Sequence, residues 1–170
     1  MAQVRKIPAI ISVVGKSKSG KTTMIEKLIP ELKKRGYKIG VIKHAAHGFQ
    51  MDQKGKDSRR HKEAGADAVM VASSGGFALI RDTVRKSIDE LAVYFEGIDL
   101  LITEGYKREK KFKIEVFRKG GGHKEPLCLN DPDLIGFVTD SEFYPNVPVF
   151  GLEEIARIAD FIEKRFLSED

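Results

Sequence analysis

Nine consecutive residues, Gly15 to Thr23, have the composition and spacing of a loop that binds phosphate groups: G-x-x-x-x-G-K-[ST]. Gly15 and Gly20 permit backbone angles and close approaches that a Cβ would block, so successive N–H groups can point at phosphate oxygens. Lys21 would bridge the β- and γ-phosphates of a nucleotide, and the Thr22 hydroxyl would ligate Mg²⁺. The pattern predicts a nucleoside triphosphate site. The residues assigned to it are Gly15, Lys16, Ser17, Lys18, Ser19, Gly20, Lys21, Thr22 and Thr23.

The sequence on either side of this stretch, called the phosphate loop below, predicts a strand, a loop and a helix. Residues 7–14 are a near-continuous apolar run, which is typical of a strand buried on both faces. After the loop, apolar residues from Met24 to Leu32 follow helical spacing, and the N-terminus of that helix adds partial positive charge to the site. Pro30 is expected to bend this helix without ending it, and Gly36 fits the position just beyond its C-terminus.

The remaining pattern alternates strands and helices, which predicts a P-loop NTPase fold of three α/β layers, with a mostly parallel sheet and helices on both faces. We expect one domain over residues 1–170. The predicted strands cover 37–42, 100–103, 113–117 and 135–138, with a hairpin over 68–72 and 77–81; the predicted helices cover 57–64, a segment from 87, and 152–166. Because ligands bind beyond the carboxyl ends of parallel strands, the phosphate loop, His44, Glu104 and Asp140 should gather at one edge.

A magnesium-dependent site needs an acidic group besides the loop hydroxyl, and Glu104 is the best candidate because it ends an apolar strand. Lys21 and Glu104 are therefore the expected catalytic side chains, and Gly105 could give its N–H to the γ-phosphate. Asp52 and Asp57 follow the second strand, and either could bind Mg²⁺ directly or through water. Asp57 could equally do no more than cap the short helix.

Other polar residues are candidates for the base and for a second substrate. Asp140 follows the last predicted strand, where a carboxylate could accept hydrogen bonds from N1–H and N2–H₂ of guanine; a solvated turn is the alternative. His44 could hydrogen-bond a phosphate or a substrate, or be a polar strand end. Lys107 lies in a basic run that directly follows the Glu104 strand, so it could bind a second phosphorylated molecule.

Bulk properties indicate one soluble cytoplasmic domain. The 170 residues are 41% hydrophobic, enough for one sizeable core, and the single cysteine, Cys128, suits a reducing compartment. No apolar run approaches the roughly 18 residues of a membrane span, and no signal-peptide pattern is present. A net charge of +5 suits a phosphorylated ligand but is too small to argue for nucleic acid.

Several ordered blocks outside the phosphate loop resemble the molybdopterin-guanine dinucleotide biosynthesis protein B (MobB) family. They are Val41-Ile42-Lys43-His44, Asp52-x-x-Gly55-Lys56-Asp57-Ser58, Ala64-Gly65-Ala66, Thr103-Glu104-Gly105-Tyr106-Lys107 and Lys113-Ile114-Glu115-Val116-Phe117-Arg118. With the phosphate loop they run in order from residue 9 to about 118, roughly two-thirds of the chain.

The resemblance implies a dimeric GTP-binding protein of the SIMIBI class of P-loop GTPases, with weak hydrolysis and Mg²⁺ as cofactor. Its partners would be GTP and either molybdopterin or the guanylyltransferase, protein A of the same pathway, that joins GMP to it. By position, Glu104 and Gly105 would sense the γ-phosphate end, and Lys56 would belong to the family's loop toward the substrate. Lys16 and Lys18 depart from the small or aromatic residues usual there. Lys16 could reach across a dimer interface, as in deviant Walker loops, or be an exposed side chain.

Two other functions stay open from the residues alone. A small-molecule kinase could use the same phosphate loop, although it would need an arginine-bearing lid and an acceptor pocket. A binding adaptor could use nucleotide occupancy only as a switch, without required hydrolysis.

Overall fold

The computed structural model describes residues 7–45, 48, 56–82 and 87–168. They form two compact units: a larger one from Met1–His44 with Ile88–Asp170, and a smaller one, Ala45–Ser87. The assignment of one domain stays a prediction. The elements are β1 (Ala9–Val14), α1 (Lys21–Lys34), β2 (Ile39–Lys43), α2 (Asp57–Glu63), β3 (Ala68–Ser73), β4 (Gly76–Arg81), α3 (Ile88–Ala92), β5 (Leu100–Glu104), β6 (Lys113–Phe117), β7 (Leu134–Thr139), β8 (Val149–Phe150), α4 (Ile155–Ile162) and a π-helical segment (Glu163–Leu167).

The larger unit is built on a six-stranded sheet in the order β2-β5-β1-β6-β7-β8, with every pairing parallel. Strand β1, which precedes the phosphate loop, lies between β5 and β6. The predicted parallel α/β sheet is therefore confirmed. The sequence pattern did not reveal β8, because a two-residue strand carries no periodicity.

One face of the sheet packs against α1 and α4. Alternate side chains of β1, Ile11 and Val13, meet the buried stripe of α1 that includes Leu28 and Leu32. Each of these four side chains is fully buried, which stabilises the fold by about 1.5–3 kcal/mol per residue. The main core therefore fixes the strand and the helix that flank the phosphate loop.

Among the described residues of the larger unit, the opposite face of the sheet has a thinner cover than the predicted layer of helices. The five-residue helix α3 leads into Phe95, whose ring lies on Gly40 of β2 so closely that a Cβ there would come within 2.6 Å of it. Beside β1 and β6 this cover is irregular chain, whose Cys128 packs on Val14 together with Leu134 of β7.

Helix α1 continues through Pro30, as predicted, and ends where Gly36 was expected to end it. Gly36 has a φ of 94°, in the left-handed region. Its N–H donates to the Lys33 carbonyl at 3.0 Å, and the Tyr37 N–H donates to the Leu32 carbonyl at 3.3 Å. These paired bonds are a Schellman motif, which satisfies the last carbonyl groups of the helix.

The smaller unit contains α2 and the predicted hairpin of β3 and β4, which pair antiparallel. Helix α2 begins at Asp57, in its first turn, while Lys56 stands at the N-cap with extended backbone. The alternative in which Asp57 caps the helix is therefore wrong, because the capping position lies one residue earlier. Among the described residues, no helix is both long and apolar enough to cross a membrane.

Candidate functional site

The carboxyl ends of the parallel strands bring the predicted residues of the larger unit to one edge. The phosphate loop follows Val14 directly, and Glu104 ends β5. In the sheet register, Glu104 stands opposite both Val13 of β1 and Lys43 of β2. His44 and Asp140 follow β2 and β7 at the same edge, so the predicted gathering is confirmed for these positions.

The phosphate loop is sharply bent, and three of its residues have positive φ: 145° at Gly15, 62° at Lys18 and 98° at Gly20. Gly15 lies so close to β6 that a Cβ would collide with the carbonyl oxygen of Val116. The left-handed conformation of Lys18 is unusual for a residue with a side chain, and no sequence signal indicated it. The bend therefore depends on glycines where the chain passes β6 and where it enters α1.

One buried polar atom in the loop lacks a partner among the described residues. Ser19 is 4% exposed, and its Oγ neither donates nor accepts a hydrogen bond with any of the described residues. Native proteins seldom leave buried polar atoms unpaired, so each one calls for an explanation. A bound phosphate oxygen would supply the missing partner. Because Gly15 has no Cβ, no side-chain atom of that residue fills the loop there.

The Lys21 ammonium is held across the loop by the loop itself. Its Nζ donates to the Lys16 carbonyl oxygen at 2.7 Å. Burial lowers the pKa of Lys21, while the nearby Glu104 carboxylate opposes that shift. A polyphosphate would provide the charge that this partly buried cation lacks.

The predicted magnesium ligands of the larger unit meet. Thr22 Oγ1 donates to Glu104 Oε1 at 2.7 Å, and Lys43 Nζ lies 3.7 Å from Glu104 Oε2. A hydroxyl and a carboxylate are the oxygen ligands that Mg²⁺ prefers, so this pair fits the ion. The described residues contain no group of three or more His, Cys, Asp or Glu side chains suited to a metal. A cation here would complete its shell with phosphate oxygens and water.

Gly105 and His44 lie beside this pair, but one expectation needs correction. The Gly105 N–H donates to the Val13 carbonyl at 3.0 Å, so in this conformation it is not available to a γ-phosphate. That N–H belongs to the hydrogen-bond pattern between β5 and β1, which continues one residue beyond the end of β5. The His44 ring lies 4.8 Å from the Tyr106 ring, and Tyr106 has a φ of 53°. His44 and Lys107 are both exposed.

Strand β6 contributes a buried carboxylate that sequence reasoning missed. Glu115 is fully buried and accepts the N–H of Leu127 at 2.6 Å and of Cys128 at 2.8 Å. Burial raises the pKa of Glu115, which these bonds oppose. Burial also raises the pKa of the Cys128 thiol to about 11. The available signal was a charged residue at the centre of the strand, between the apolar residues Ile114 and Val116.

Asp140 is exposed, and its Oδ1 accepts the main-chain N–H of Lys119 at 2.6 Å. The carboxylate is therefore oriented by the segment that follows β6. Of the other candidates, Ser17, Lys18, Thr22 and Thr23 are exposed and Lys16 is half-buried. Lys56 and Asp57 belong to the smaller unit, and Asp57 Oδ1 bonds Arg60 at 3.3 Å. Asp52 lies outside the described residues.

Comparisons with known proteins agree on one family. The family model described as "Molybdopterin guanine dinucleotide synthesis protein B" matches residues 10–140. The chain is 38% identical to the molybdopterin-guanine dinucleotide biosynthesis adapter protein of Haemophilus influenzae, over 91% of this chain and 87% of that one. It is 34% identical to the Escherichia coli protein of the same name, over 95% of each chain.

The fold agrees as well. The crystal structure of Bacillus subtilis MobB superposes with a TM-score of 0.74 at 25% identity, covering 95% of this chain and 99% of that one. The predicted resemblance is thus confirmed over most of the sequence as well as in the fold. The chain belongs to the MobB family.

Proposed function

We propose that this chain is an adapter in molybdopterin guanine dinucleotide synthesis that binds GTP with Mg²⁺ and hydrolyses it slowly. The family and the names of its relatives support the pathway and the adapter role. The observation that carries nucleotide binding is the bent phosphate loop, in which the buried Ser19 hydroxyl has no partner among the described residues.

Each part of the site has a role in this proposal. The N–H groups of the loop and of the first turn of α1 surround the phosphates, and Lys21 turns from the Lys16 carbonyl to the β- and γ-phosphates. Thr22 and Glu104 hold Mg²⁺, directly or through water. When bound, Mg²⁺ neutralises negative charge on the phosphate oxygens.

Slow hydrolysis follows from the side chains around this pair. Glu104 is bonded to Thr22 and faces Lys43, so it is oriented as a metal ligand rather than as a base for water. The transition state would be stabilised mainly by the loop amides and Lys21. Turnover should therefore be slow unless a partner supplies a group that positions water.

The second substrate would meet the exposed residues that follow β2 and β5. Molybdopterin carries a phosphate and a flat ring system, and Lys107, His44 and Tyr106 offer a cation and two adjacent rings. Lys56 lies in the smaller unit, and only the family resemblance assigns it to substrate binding. The guanylyltransferase of the pathway is the protein partner in this proposal.

In this proposal, a second copy of the chain binds to the β3–β4 hairpin of the smaller unit. Met70, Val71 and Phe77 are 57%, 51% and 73% exposed, and a two-stranded sheet is marginally stable alone. Among the described residues neither strand has a further strand beside it, and such edges are suited to pairing with another chain. In sedimentation experiments, Phe77→Glu should dissociate a dimer, whereas Val93→Glu, at an exposed position of the larger unit, should not.

The proposal is tested by titration calorimetry with Mg·GTP on wild type, Lys21→Ala and Lys34→Ala. The control, Lys34, is exposed in the last turn of the same helix. Removal of the Lys21 charge should weaken Mg·GTP binding about 100-fold or more, while Lys34→Ala binds as wild type does. Unchanged affinity in Lys21→Ala would defeat the proposal.

The adapter role needs a separate measurement. In a reconstituted reaction, wild-type chain should raise the rate at which the guanylyltransferase joins GMP to molybdopterin, and Lys21→Ala should not. A variant that binds GTP without hydrolysing it, yet still raises that rate, would identify the chain as a nucleotide-switched adapter.

A further inference from the structure

Lys43 is a charged side chain at the edge of the sheet that carries the site, and the proposed function leaves it without a role. It ends β2 and stands opposite Glu104 of β5, which in turn stands opposite Val13 of β1. Ile39, four residues earlier on the same face of the strand, packs against the core cluster that includes α1. Lys43 therefore projects on the side of the sheet where α1 begins.

Lys43 brings a second ammonium group close to Glu104 and Lys21. Its Nζ lies 3.7 Å from Glu104 Oε2, while Glu104 Oε1 accepts the hydrogen bond of the Thr22 hydroxyl at 2.7 Å. Burial lowers the pKa of Lys21, and the Lys43 charge adds to that effect, so the two ammonium groups are close enough to repel each other. Two cations and one carboxylate therefore meet beside the first turn of α1, and they leave a net positive charge there.

The pairing of Lys43 with Glu104 is loose. A separation of 3.7 Å is longer than a hydrogen bond, and the Lys43 side chain is 66% exposed. Ion pairs at such positions contribute little to stability, and the four-carbon stem of lysine is flexible. Once Glu104 serves as a metal ligand, Lys43 loses this carboxylate as a partner and is free to turn to another anion.

We propose that Lys43 binds the terminal phosphate of the nucleotide and thereby makes the site prefer a triphosphate to a diphosphate; the inference rests on the proposed function. In that function Thr22 and Glu104 hold Mg²⁺, and the metal in such sites bridges the β- and γ-phosphates. Strand β2 lies beyond β5 as seen from β1, so Lys43 lies on the far side of Glu104 from the strand that leads into the phosphate loop. A diphosphate has no group that extends to this position.

Two neighbouring donors that the sequence indicated are already engaged. The Gly105 N–H donates to the Val13 carbonyl at 3.0 Å, and the His44 ring lies against the Tyr106 ring, with centroids 4.8 Å apart. The His44 N–H donates to the Glu104 carbonyl oxygen at 3.0 Å. Lys43 can move toward a phosphate without breaking any of these main-chain bonds, because only its side chain has to rotate.

The test is titration calorimetry of the intact chain at physiological ionic strength with Mg·GTP, Mg·GDP and Mg·tripolyphosphate. Tripolyphosphate has the three phosphates without a base. The variants are Lys43→Gln, which removes the charge, and Lys43→Arg, which keeps it. Lys38→Gln is the control, because Lys38 is exposed and immediately precedes β2, at the opposite end of the same strand. Urea unfolding of each variant checks the fold.

Lys43→Gln should weaken Mg·GTP binding about 10-fold, because a bond between two charged groups is lost. The loss for Mg·tripolyphosphate should be equally large. Mg·GDP should bind within about twofold of wild type, since salt screens the charge at longer distance. Lys43→Arg should recover most of the Mg·GTP affinity, and Lys38→Gln should bind all three probes as wild type does. Urea unfolding should be unchanged in all variants, because the exposed pair stabilises the fold little.

Three results would overturn the inference while the proposed function stands. They are Mg·GTP affinity equal to wild type in Lys43→Gln, equal losses for Mg·GTP and Mg·GDP, and a loss in Lys43→Arg as large as in Lys43→Gln. Equal losses for the two nucleotides would mean that the charge acts on the whole site and not on the terminal phosphate. A wild-type chain that binds neither Mg·GTP nor Mg·tripolyphosphate would instead defeat the proposed function itself.

Discussion

Replacement of Gly15 by alanine should damage the phosphate loop more than the same replacement at Gly20. Both glycines have positive φ, 145° and 98°, which residues with a side chain rarely adopt, so each alanine would cost about 1–3 kcal/mol of backbone strain. At Gly20 the nearest atom to a new Cβ is a side-chain carbon of Val116 at 3.9 Å, an ordinary contact. At Gly15 the Cβ would collide with the Val116 carbonyl oxygen, which belongs to the central sheet and cannot move away freely.

This collision is an overpacking term of about 1–3 kcal/mol beyond the strain that the two sites share. The measurement is urea unfolding of both variants beside wild type, with thermal unfolding as a second measure. Each kcal/mol should lower Tm by about 2–4 °C for a chain of this size. The Mg·tripolyphosphate affinity should also fall further in Gly15→Ala, because its loop must leave β6.

Equal losses of unfolding free energy in the two variants would refute this reasoning. They would mean that the φ requirement alone governs the loop and that its packing on β6 contributes nothing. A Gly15→Ala variant that is less stable but binds tripolyphosphate as wild type does would separate the packing from the shape of the site.

Three further predictions concern single side chains. Thr22→Val should weaken GTP binding about 10-fold or more with Mg²⁺ present and leave it unchanged in EDTA, because only the metal-bound state uses the hydroxyl; equal losses in both titrations would contradict this role. Glu115→Gln should lower the unfolding free energy by about 1–3 kcal/mol, because an amide NH₂ would face a main-chain N–H, and unchanged urea unfolding would count against it. Glu163 accepts hydrogen bonds from Tyr37 and Arg35, which lower its pKa, so its stabilisation is present above its unfolded-state pKa and is lost as pH falls through the folded-state value. Acid titration of unfolding should therefore show a smaller loss of stability in Glu163→Gln than in wild type, and parallel curves would refute the assignment.

Sequence reasoning reached the elements whose pattern repeats along the chain. The apolar runs identified β1, β5, β6 and β7, and helical spacing identified α1 across Pro30. Hydrophobic periodicity and secondary-structure propensity depend on residues close together in sequence, so they can be recognised without knowledge of the tertiary structure. The final helix was placed only approximately: it begins at Ile155 instead of residue 152, and it passes into a π-helical segment at Glu163.

The candidate site likewise combines residues that the sequence predicted with contacts that it did not. The spacing of the phosphate loop named Lys21 and Thr22, and the strand before Glu104 named that carboxylate, because each signal lies within one short segment. That Thr22 Oγ1 and Glu104 Oε1 lie 2.7 Å apart depends on β5 pairing beside β1, and 82 residues separate the two side chains in sequence.

What the sequence alone determined was a strand–loop–helix with glycines and a lysine at fixed spacing, and that pattern predicts a phosphate-bearing ligand. Only the tertiary structure decided that the Gly105 N–H is used by Val13, that Glu115 binds the main chain beside Cys128, and that Lys43 lies beside Glu104. The physical reason is that hydrogen bonds across strands and close approaches between loops depend on which strands become neighbours. That order is set by packing of the whole sheet and leaves no periodic mark on any single segment.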